Sequence, residues 1–426
     1  MTSDTGALWR ASVRERVEAP PLAADAAVDL AIVGGGFTGC SAALAAAGHG
    51  ASVCLLEAEH VGHGGSGRNV GLVNAGLWMP PDDICAAMGA AAGRRLIEVL
   101  AEAPARVFEL IARHGIDCEA TRNGTLHCAH APAGLRDLQD RFRQGNRFGA
   151  PVSLLDADET ARHTGAAGYV GALFDPRAGT VQPLAYCLGL ARAAQAAGAR
   201  LHGQSPVTAL ERDGDGWRLT ANGRSIRAGA VLVATNAYHR ALGPAVRPRF
   251  TTVHFSQFAT APLSERDRAG LLEGGEGCWD TALVMNAFRT DQAGRLILGA
   301  IGNRAGPAGA VHAAWARRKL KQLFPRLAQV PFEHAWTGRI AMTSDHLPRI
   351  VAFGPRALAV YGYSGRGIGP GTVFGAAAAR ALLTGSEEGL PVAPVAAHSE
   401  RLTGLRSAYY EAGALLTHAT RPAPFR

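Results

Sequence analysis

The stretch VDLAIVGGGFTGCSAALAAAGHGASVCLLE, residues 28–57, limits the possible folds of this chain more than any other feature. Two apolar runs flank a glycine-rich turn and an alanine-rich stretch, in the order 28–33, then Gly34, Gly36 and Gly39, then 37–48, then 51–56. This order predicts a βαβ unit, in which glycines allow a tight turn and the helix N-terminus attracts a pyrophosphate. Glu57 follows at the distance at which an acid binds a ribose hydroxyl. The stretch predicts a dinucleotide site but leaves FAD and NAD undecided.

The composition is that of a large globular chain. The 426 residues are 47% hydrophobic and 18% charged, which predicts a sizeable core and two or three domains. The first 25 residues mix acids with arginines and contain no apolar run, so we expect no signal peptide. Residues 30–48 carry no charge, but Asp29, Glu57 and the ordered glycines favour the dinucleotide turn over a membrane segment or a purely structural turn, so we expect no transmembrane segment. The seven cysteines are an odd number without a C-x-x-C pair. They predict free thiols in a reducing compartment, the cytoplasm, and no metal site.

The net charge of +8 comes almost entirely from arginine, because Lys319 and Lys321 are the only lysines. No basic run is interleaved with aromatic residues, so nucleic acid is not a predicted partner. The positive charge can attract an anionic substrate or can belong to a solvated surface. The sequence alone leaves these two alternatives open.

The remaining chain alternates between helical and strand-rich segments. Hydrophobic spacing predicts helices over 80–145, a strand pair near 118–130, a helix from 182, a three-stranded meander over 206–238 that ends in a buried strand at 230–234, strands over 250–301, a helix over 313–324 and a strand that ends at Tyr361. A meander inserted in a parallel sheet is common among flavoproteins.

A second glycine-rich loop follows Tyr361. Gly362, Gly365, Gly367 and Gly369 precede Pro370, where a helix could begin. A helix N-terminus at this point would stabilise the negative charge of a reduced flavin, which a nicotinamide does not require. Close packing of a helix on a sheet also selects glycine, and this reading remains open.

Five motifs together resemble the D-amino-acid-oxidase-like superfamily of FAD-dependent amine and amino-acid oxidoreductases. They are residues 28–57, GHGGSGRNVGLVNAG at 62–76, VLVATNAY at 231–238, HAWTGRIAMTSDHLPRI at 334–350 and GYSGRGIG at 362–369. The G-x-S-G-R-N motif is similar to that of the γ-glutamylputrescine oxidase and L-pipecolate oxidase-like group. The resemblance covers nearly the whole chain and implies that the turn holds the pyrophosphate of FAD.

The resemblance implies an α/β fold with a Rossmann-type FAD-binding domain, built from a central sheet and a β-meander. An interleaved α+β substrate domain would carry a large antiparallel sheet. The expected boundaries are 28–80, 150–245 and 335–390 for the FAD-binding domain, 81–149 and 246–334 for the substrate domain, 1–27 for an N-terminal arm and 391–426 for a C-terminal segment.

The same resemblance assigns cofactor contacts to individual residues. Around the pyrophosphate and the adenosine it implies Gly34, Gly36, Phe37, Thr38, Gly39, Glu57 and Val207. Beside the pyrophosphate and the flavin it implies Ser66, Gly67, Arg68, Asn69, Ala234, Thr235, Gly365, Arg366, Gly367 and Ile368.

Candidates for the substrate side are aromatic, amide and cationic residues near these motifs. They are His254, Phe255, Gln257, Trp336, Arg339, Tyr363 and Arg366. A guanidinium in a glycine loop beside the cofactor can bind a carboxylate through two parallel hydrogen bonds. Arg366 can equally neutralise the negative charge of the flavin, and the sequence does not rank these two roles.

Three positions depart from the monomeric sarcosine oxidases of this superfamily. Ile340 stands where those enzymes attach FAD through a cysteine, so we expect noncovalent FAD. Gly369 replaces a lysine that holds the substrate carboxylate, and Ile297 replaces a lysine that assists oxygen. The use of O2 is therefore less well supported by the sequence than oxidation of the substrate.

The resemblance implies oxidation of a small amine or amino acid, in particular a secondary amine. A hydride would pass to flavin N5, the imine would hydrolyse, and O2 would reoxidise the cofactor to give H2O2. A dehydrogenase that passes electrons to a quinone or another carrier is one alternative, and a non-catalytic FAD-binding subunit is another. The sequence does not indicate an oligomeric state.

Overall fold

The computed structural model describes residues 7–242 and 246–420. Three short parts of the predicted domains lie outside the described residues. They are residues 1–6 of the expected N-terminal arm, residues 243–245 at an expected domain boundary and residues 421–426 of the expected C-terminal segment.

Strands and helices alternate along the described chain. The strands are β1 (Ala26–Val33), β2 (Val53–Leu56), β3 (Leu72–Val73), β4 (Thr125–Cys128), β5 (Ser153–Leu155), β6 (Ala172–Asp175), β7 (Gly179–Thr180), β8 (Arg200–His202), β9 (Val207–Asp213), β10 (Gly216–Ala221), β11 (Arg224–Val233), β12 (Thr251–Thr260), β13 (Gly277–Asp280), β14 (Asn286–Thr290), β15 (Leu296–Ile301), β16 (Phe332–Met342), β17 (Arg349–Gly354) and β18 (Ala357–Tyr361). The α-helices are α1 (Leu8–Ser12), α2 (Phe37–Gly48), α3 (Pro81–Met88), α4 (Ala90–Ala101), α5 (Ala103–His114), α6 (Pro132–Arg147), α7 (Ala157–Thr164), α8 (Pro183–Ala196), α9 (Glu265–Arg268), α10 (Gly309–Leu323), α11 (Ile368–Thr384) and α12 (Thr403–Ala419).

The first large sheet has the strand order β17-β18-β11-β1-β2-β8, and β10 and β9 extend from β11 as an antiparallel meander. The strands β18, β11, β1, β2 and β8 are parallel, whereas β17 is antiparallel. Parallel strands place their carboxyl ends at one edge, where ligands bind in doubly wound folds. The ends of β1, β2, β11 and β18 therefore meet where the two glycine-rich loops begin.

The second large sheet has the order β16-β12-β15-β14-β13-β4-β6-β5. Its neighbouring strands are antiparallel except for β13 and β4. Along β12 successive side chains point to opposite faces of the sheet. One face covers the carboxyl edge of the first sheet, and the other packs against α10 and α12.

Helix α2 is buried on almost all sides because it lies between the first sheet and the helices α8 and α11. Its contacts are close enough to exclude even a methyl group. A Cβ at Gly39 would lie 1.9 Å from the Gly34 carbonyl oxygen, and a Cβ at Gly375 would lie 2.2 Å from the Thr38 carbonyl oxygen. Backbone-to-backbone contact thus holds α2 and α11 together at the edge of the sheet.

Most predicted elements are present, with two differences. The expected strand pair near 118–130 is one strand, β4, because its partners are the distant strands β6 and β13. Helix α11 begins at Ile368, two residues before the predicted start at Pro370. The predicted three-stranded meander is present as β9, β10 and β11, and its buried end at 230–233 pairs with β1.

We expect Gly375→Ala to lower the free energy of unfolding, because the added methyl group meets the backbone of α2 rather than a movable side chain. Overpacking of this kind costs about 1–3 kcal/mol. The matched control is Gly413→Ala in α12, where a Cβ meets nothing within 4 Å. That change should stabilise by about 0.5–1 kcal/mol through helix propensity. Denaturant unfolding of both variants measures the difference, and equal stabilities would contradict the close contact.

Candidate functional site

A cleft runs between the carboxyl edge of the first sheet and one face of the second. At one end it is lined by Glu57, Pro206 and Val207, and at the other by Trp279 and Arg366. The N-termini of α2 and α11 both border the cleft, through Phe37 and Ile368. A helix N-terminus carries a partial positive charge, so the cleft has two separate places for negative charge.

The glycine-rich turn after β1 lies in close contact with the residues around it. Gly34 has φ +109°, and a Cβ there would lie 2.9 Å from the Ala234 carbonyl oxygen. A Cβ at Gly36 would lie 2.8 Å from the Ser66 Oγ, and the Phe37 N–H donates to that Oγ at 3.0 Å. The turn is thus a cradle that any side chain would fill. It fits the pyrophosphate of a dinucleotide.

Glu57 is held rigidly at the end of β2. Its Oε2 accepts a hydrogen bond from the Gly35 N–H at 2.7 Å, and its Oε1 accepts one from the Glu59 N–H at 3.0 Å. Burial raises the pKa of the Glu57 carboxyl, although the two N–H donors act in the opposite direction. The carboxylate borders the cleft in the position expected for a ribose contact.

The loop after β2 is folded back on itself. The Asn69 Nδ2 donates to the carbonyl oxygens of Gly65 at 2.9 Å and Ser66 at 3.2 Å, and its Oδ1 accepts from the Gly71 N–H. Ser66, Asn69 and Val70 border the cleft. The loop therefore presents a preformed wall to a bound molecule.

The loop after β18 requires unusual backbone conformations. Gly362 and Gly365 have φ of +86° and +96°, and Ser364 between them has φ +48°. The Gly362 N–H donates to the Asn236 Oδ1 at 3.0 Å. This turn brings the N-terminus of α11 to the cleft, as the prediction for this loop requires.

Most of the predicted cofactor residues meet along this one cleft. Those that line it are Gly34, Gly36, Phe37, Thr38, Glu57, Ser66, Asn69, Val207, Ala234, Thr235, Gly365, Arg366, Gly367 and Ile368. Gly39, Gly67 and Arg68 do not line the cleft. Gly39 and Gly67 serve close packing, since a Cβ at Gly67 would lie 2.3 Å from the Gly62 carbonyl oxygen. The Arg68 guanidinium lies 5.9 Å from the Tyr238 ring.

The predicted substrate residues divide between the cleft and its surroundings. Phe255, Gln257, Arg339, Tyr363 and Arg366 line the cleft, and the Tyr363 hydroxyl is hydrogen-bonded to the Thr38 Oγ1 at 2.8 Å. Burial raises the pKa of the Tyr363 hydroxyl, so this group stays neutral.

His254 and Trp336 do not line the cleft. His254 lies on the opposite face of β12, with its Nδ1 3.8 Å from the Glu411 Oε2 of α12, and burial lowers its pKa. Trp336 is 5% exposed and packs against Trp9 in a cluster behind the loop of 65–71. Direct substrate contact by these two side chains is not supported by their placement.

Arg366 is a partly buried cation at the end of the cleft. Its Nη1 donates to the Ala75 carbonyl oxygen at 2.9 Å, and its Cζ lies 5.0 Å from the centre of the Trp279 ring. Desolvation, with repulsion from Arg141, lowers the pKa of the guanidinium to about 10. Among the described residues no carboxylate forms an ion pair with it. The group is thus available to an anion in the cleft.

Three aromatic lining residues, and one methionine, were not predicted from the sequence. Trp78, Tyr238, Trp279 and Met285 all line the cleft. Tyr238 lies within the VLVATNAY motif, and its ring is 4.3 Å from the Arg339 Cζ. The motif could have identified Tyr238 as a candidate site residue. Trp78 and Trp279 lie outside all of the family motifs, so nothing in the sequence was a reason to choose them.

The whole arrangement fits FAD. A glycine cradle, a buried acid at a strand end and a second helix N-terminus lie in sequence along one cleft, which matches a pyrophosphate, a ribose and an anionic flavin ring. Among residues 7–242 and 246–420, no group of three His, Cys, Asp or Glu side chains could hold a metal ion. In the same part of the chain, no helix has the length and apolar character needed to cross a bilayer.

Residues 29–381 match the family described as DAO, FAD dependent oxidoreductase. The chain belongs to this family. It is 30% identical to the gamma-glutamylputrescine oxidoreductase of Escherichia coli over 381 residues, 86% of each chain. It is also 30% identical to the probable oxidoreductase OrdL of Haemophilus influenzae over 380 residues, 88% of this chain and 86% of the relative.

Solved structures confirm the fold class. The glycine oxidase of Geobacillus kaustophilus has a TM-score of 0.69 at 23% identity, covering 85% of this chain and 95% of that one. The L-amino acid deaminase of Proteus vulgaris has a TM-score of 0.72 at 20% identity, covering 90% and 94%. The predicted family, the FAD cofactor and the oxidoreductase class are confirmed. The domain boundaries and the roles of individual site residues remain predictions.

We expect Glu57→Ala to weaken FAD binding, because the variant lacks an acceptor for a ribose hydroxyl. A hydrogen bond to a charged group contributes about 1.5–3 kcal/mol. Titration of apoprotein with FAD measures the change. Glu211→Ala, an exposed carboxylate of β9 in the same sheet, is the control. An unchanged dissociation constant in Glu57→Ala would mean that the carboxylate only ties the Gly35 and Glu59 N–H groups.

Proposed function

We propose that this flavoenzyme oxidises a small amine or amino acid, in particular a secondary amine, at its C–N bond. A hydride leaves the carbon next to nitrogen, and water hydrolyses the resulting imine. The observation that carries the proposal is a partly buried guanidinium and a buried amide oxygen without a hydrogen-bond partner among the described residues, both in one cleft. The names of the relatives support it, since a gamma-glutamylputrescine oxidoreductase is among them.

FAD held in this cleft would supply the acceptor for the hydride, and O2 is the proposed oxidant that would take up the two electrons and give H2O2. The chain supplies orientation and charge. The N-terminus of α11 stabilises negative charge at the flavin end of the cleft. Residues of the second sheet, among them Phe255 and Gln257, form the opposite wall of the cleft.

Gln257 is the proposed partner of the substrate nitrogen. Its side chain is 5% exposed, lines the cleft and has an Oε1 without a hydrogen-bond partner among the described residues. A Cβ on the neighbouring Gly299 would lie 2.1 Å from this oxygen, so the amide occupies a space that only glycine leaves free. A buried acceptor without a partner favours a ligand that carries an N–H donor. The amide accepts a hydrogen bond from a neutral amine without taking its proton.

Arg366 is the proposed partner of a substrate carboxylate. Its guanidinium is oriented by the Ala75 carbonyl oxygen and by the Trp279 ring, so its position is preorganised. A bidentate pair with a carboxylate fixes the orientation of the substrate as well as its affinity. The substrate class supported best is therefore an amino acid or another amine that carries an acid group.

A second candidate function is a dehydrogenase that transfers electrons to a carrier instead of O2. Ile297, which stands where related oxidases have a lysine that assists oxygen, is fully buried in an apolar cluster with Trp9 and Trp336. An isoleucine supplies no positive charge at this position to assist the reaction of the reduced flavin with O2.

We also propose a cytoplasmic location. The buried cysteines carry free thiols, which supports this proposal.

An anaerobic screen of amines and amino acids tests the proposed function. The flavin absorbance of the purified protein should fall with at least one secondary amine or amino acid. Addition of air then separates the two candidates. Rapid recovery with H2O2 identifies an oxidase, whereas recovery only with a quinone identifies a dehydrogenase. A flavin that no amine bleaches would favour a non-catalytic FAD-binding subunit.

We expect Arg366→Ala to raise KM for amino acids and to cost about 2–5 kcal/mol in kcat/KM, because a desolvated charge pair is lost. Neutral amines of similar shape should be much less affected. Steady-state kinetics on matched pairs of substrates measures this difference.

Arg366→Lys is the companion variant, since it keeps the charge and lacks the planar fork. It should retain activity on neutral amines and lose it on amino acids. If Arg366→Ala slows the oxidation of all substrates equally and lowers the reduction potential of the flavin, Arg366 stabilises the reduced flavin instead of binding the substrate.

A further inference from the structure

The loop of residues 65–71, which forms one wall of the cofactor cleft, is bonded from behind by three buried side chains. The Arg68 carbonyl oxygen accepts from the Trp336 Nε1 at 2.7 Å, and the Asn69 carbonyl oxygen accepts from the Trp9 Nε1 at 2.8 Å. The Gly71 carbonyl oxygen accepts from the Arg289 Nη1 at 3.4 Å. The donors come from α1, β14 and β16, which are far apart along the chain.

The two indoles form one compact group on the side of the loop that faces away from the cleft. Trp9 is fully buried and Trp336 is 5% exposed, and neither lines the cleft. Their rings meet edge to face, with centroids 5.8 Å apart. The Gln182 Nε2 donates to the Trp9 carbonyl oxygen at 2.8 Å, which fixes α1 in place. Rotation of either indole away from the loop would leave a buried N–H without an acceptor.

Arg289 adds a buried cation beneath this pair. It is 2% exposed, its Cζ lies 5.6 Å from the Trp9 ring, and it also donates to the Val181 carbonyl oxygen. Desolvation lowers its pKa to about 10. The guanidinium attracts the face of the indole and so holds its N–H edge toward the Asn69 carbonyl oxygen.

These bonds determine which way the peptide group between Asn69 and Val70 points. In a trans peptide the C=O and the following N–H point in opposite directions. Because the Asn69 carbonyl points toward Trp9, the Val70 N–H points toward the cleft that Val70 lines. Within the described residues this N–H has no hydrogen-bond acceptor. The Asn69 N–H, by contrast, is bonded to the Gly65 carbonyl oxygen.

We propose that Trp9 and Trp336 are positioning residues of the cofactor site, which turn the Val70 N–H toward a carbonyl oxygen or ring nitrogen of the flavin. The five-residue helix α1, which precedes the dinucleotide-binding unit, is by this inference part of the FAD site. The proposal concerns binding of the cofactor and does not depend on the identity of the substrate.

The test compares Trp9→Phe and Trp336→Phe in the full-length protein. Phenylalanine keeps most of the packing but removes the N–H donor. Titration of apoprotein with FAD should give a dissociation constant raised by about fivefold in each variant, the effect of one hydrogen bond. The visible absorption band of the bound flavin should also shift, because its hydrogen bonding changes. A general loss of packing would not produce that spectral shift.

Trp217→Phe is the matched control. Trp217 is 2% exposed, and its Nε1 donates to the Pro355 carbonyl oxygen at 3.0 Å, away from the cleft lining. This variant should lose stability without a change in FAD affinity or spectrum. Wild-type affinity and spectrum in both loop variants would overturn the proposal, as would equal weakening in Trp217→Phe. If Trp9→Phe does not fold, Trp336→Phe decides by the same two measurements.

Discussion

Direct contact between backbone atoms is the constraint on which the cofactor site depends. Gly39 of α2 lies against the Gly34 carbonyl, Gly34 lies against Ala234 at the end of β11, and Gly375 of α11 lies against Thr38. No side chain can adjust at these contacts, so the turn after β1 and both helix N-termini occupy fixed relative positions. The two places for negative charge in the cleft are therefore set by main-chain packing, and side chains add only local specificity.

The second sheet completes the site through strand alternation. Phe255 and Gln257 point from β12 into the cleft, whereas His254 points to α12. A shift of one residue in the pairing of β12 would exchange these faces. Its long antiparallel ladders with β15 and β16 prevent such a shift. Sheet register therefore determines, as much as residue identity does, which side chains of β12 reach the cleft.

The local sequence was sufficient to predict the dinucleotide-binding unit, because the glycines, the helix and the acidic residue that form it all lie within residues 28–57. It also located the second glycine loop. It was insufficient for the choice among aromatic residues. Trp336 and Tyr238 both lie in family motifs, but in the folded chain only Tyr238 lines the cleft, while Trp336 packs against Trp9. Trp9 had no local signal, because its partners Asn69 and Trp336 lie far along the chain.

The bonds behind the loop of residues 65–71 also affect the order in which the protein can mature. The carbonyl bonds to this loop span 60 residues for Trp9, 218 for Arg289 and 268 for Trp336. During synthesis, residues 28–57 leave the ribosome long before β16 does, and contacts of such sequence separation form late in folding. The nascent chain can therefore build the glycine-rich turn after β1 early, but the bonds behind the loop of residues 65–71 are complete only after β16 has been translated.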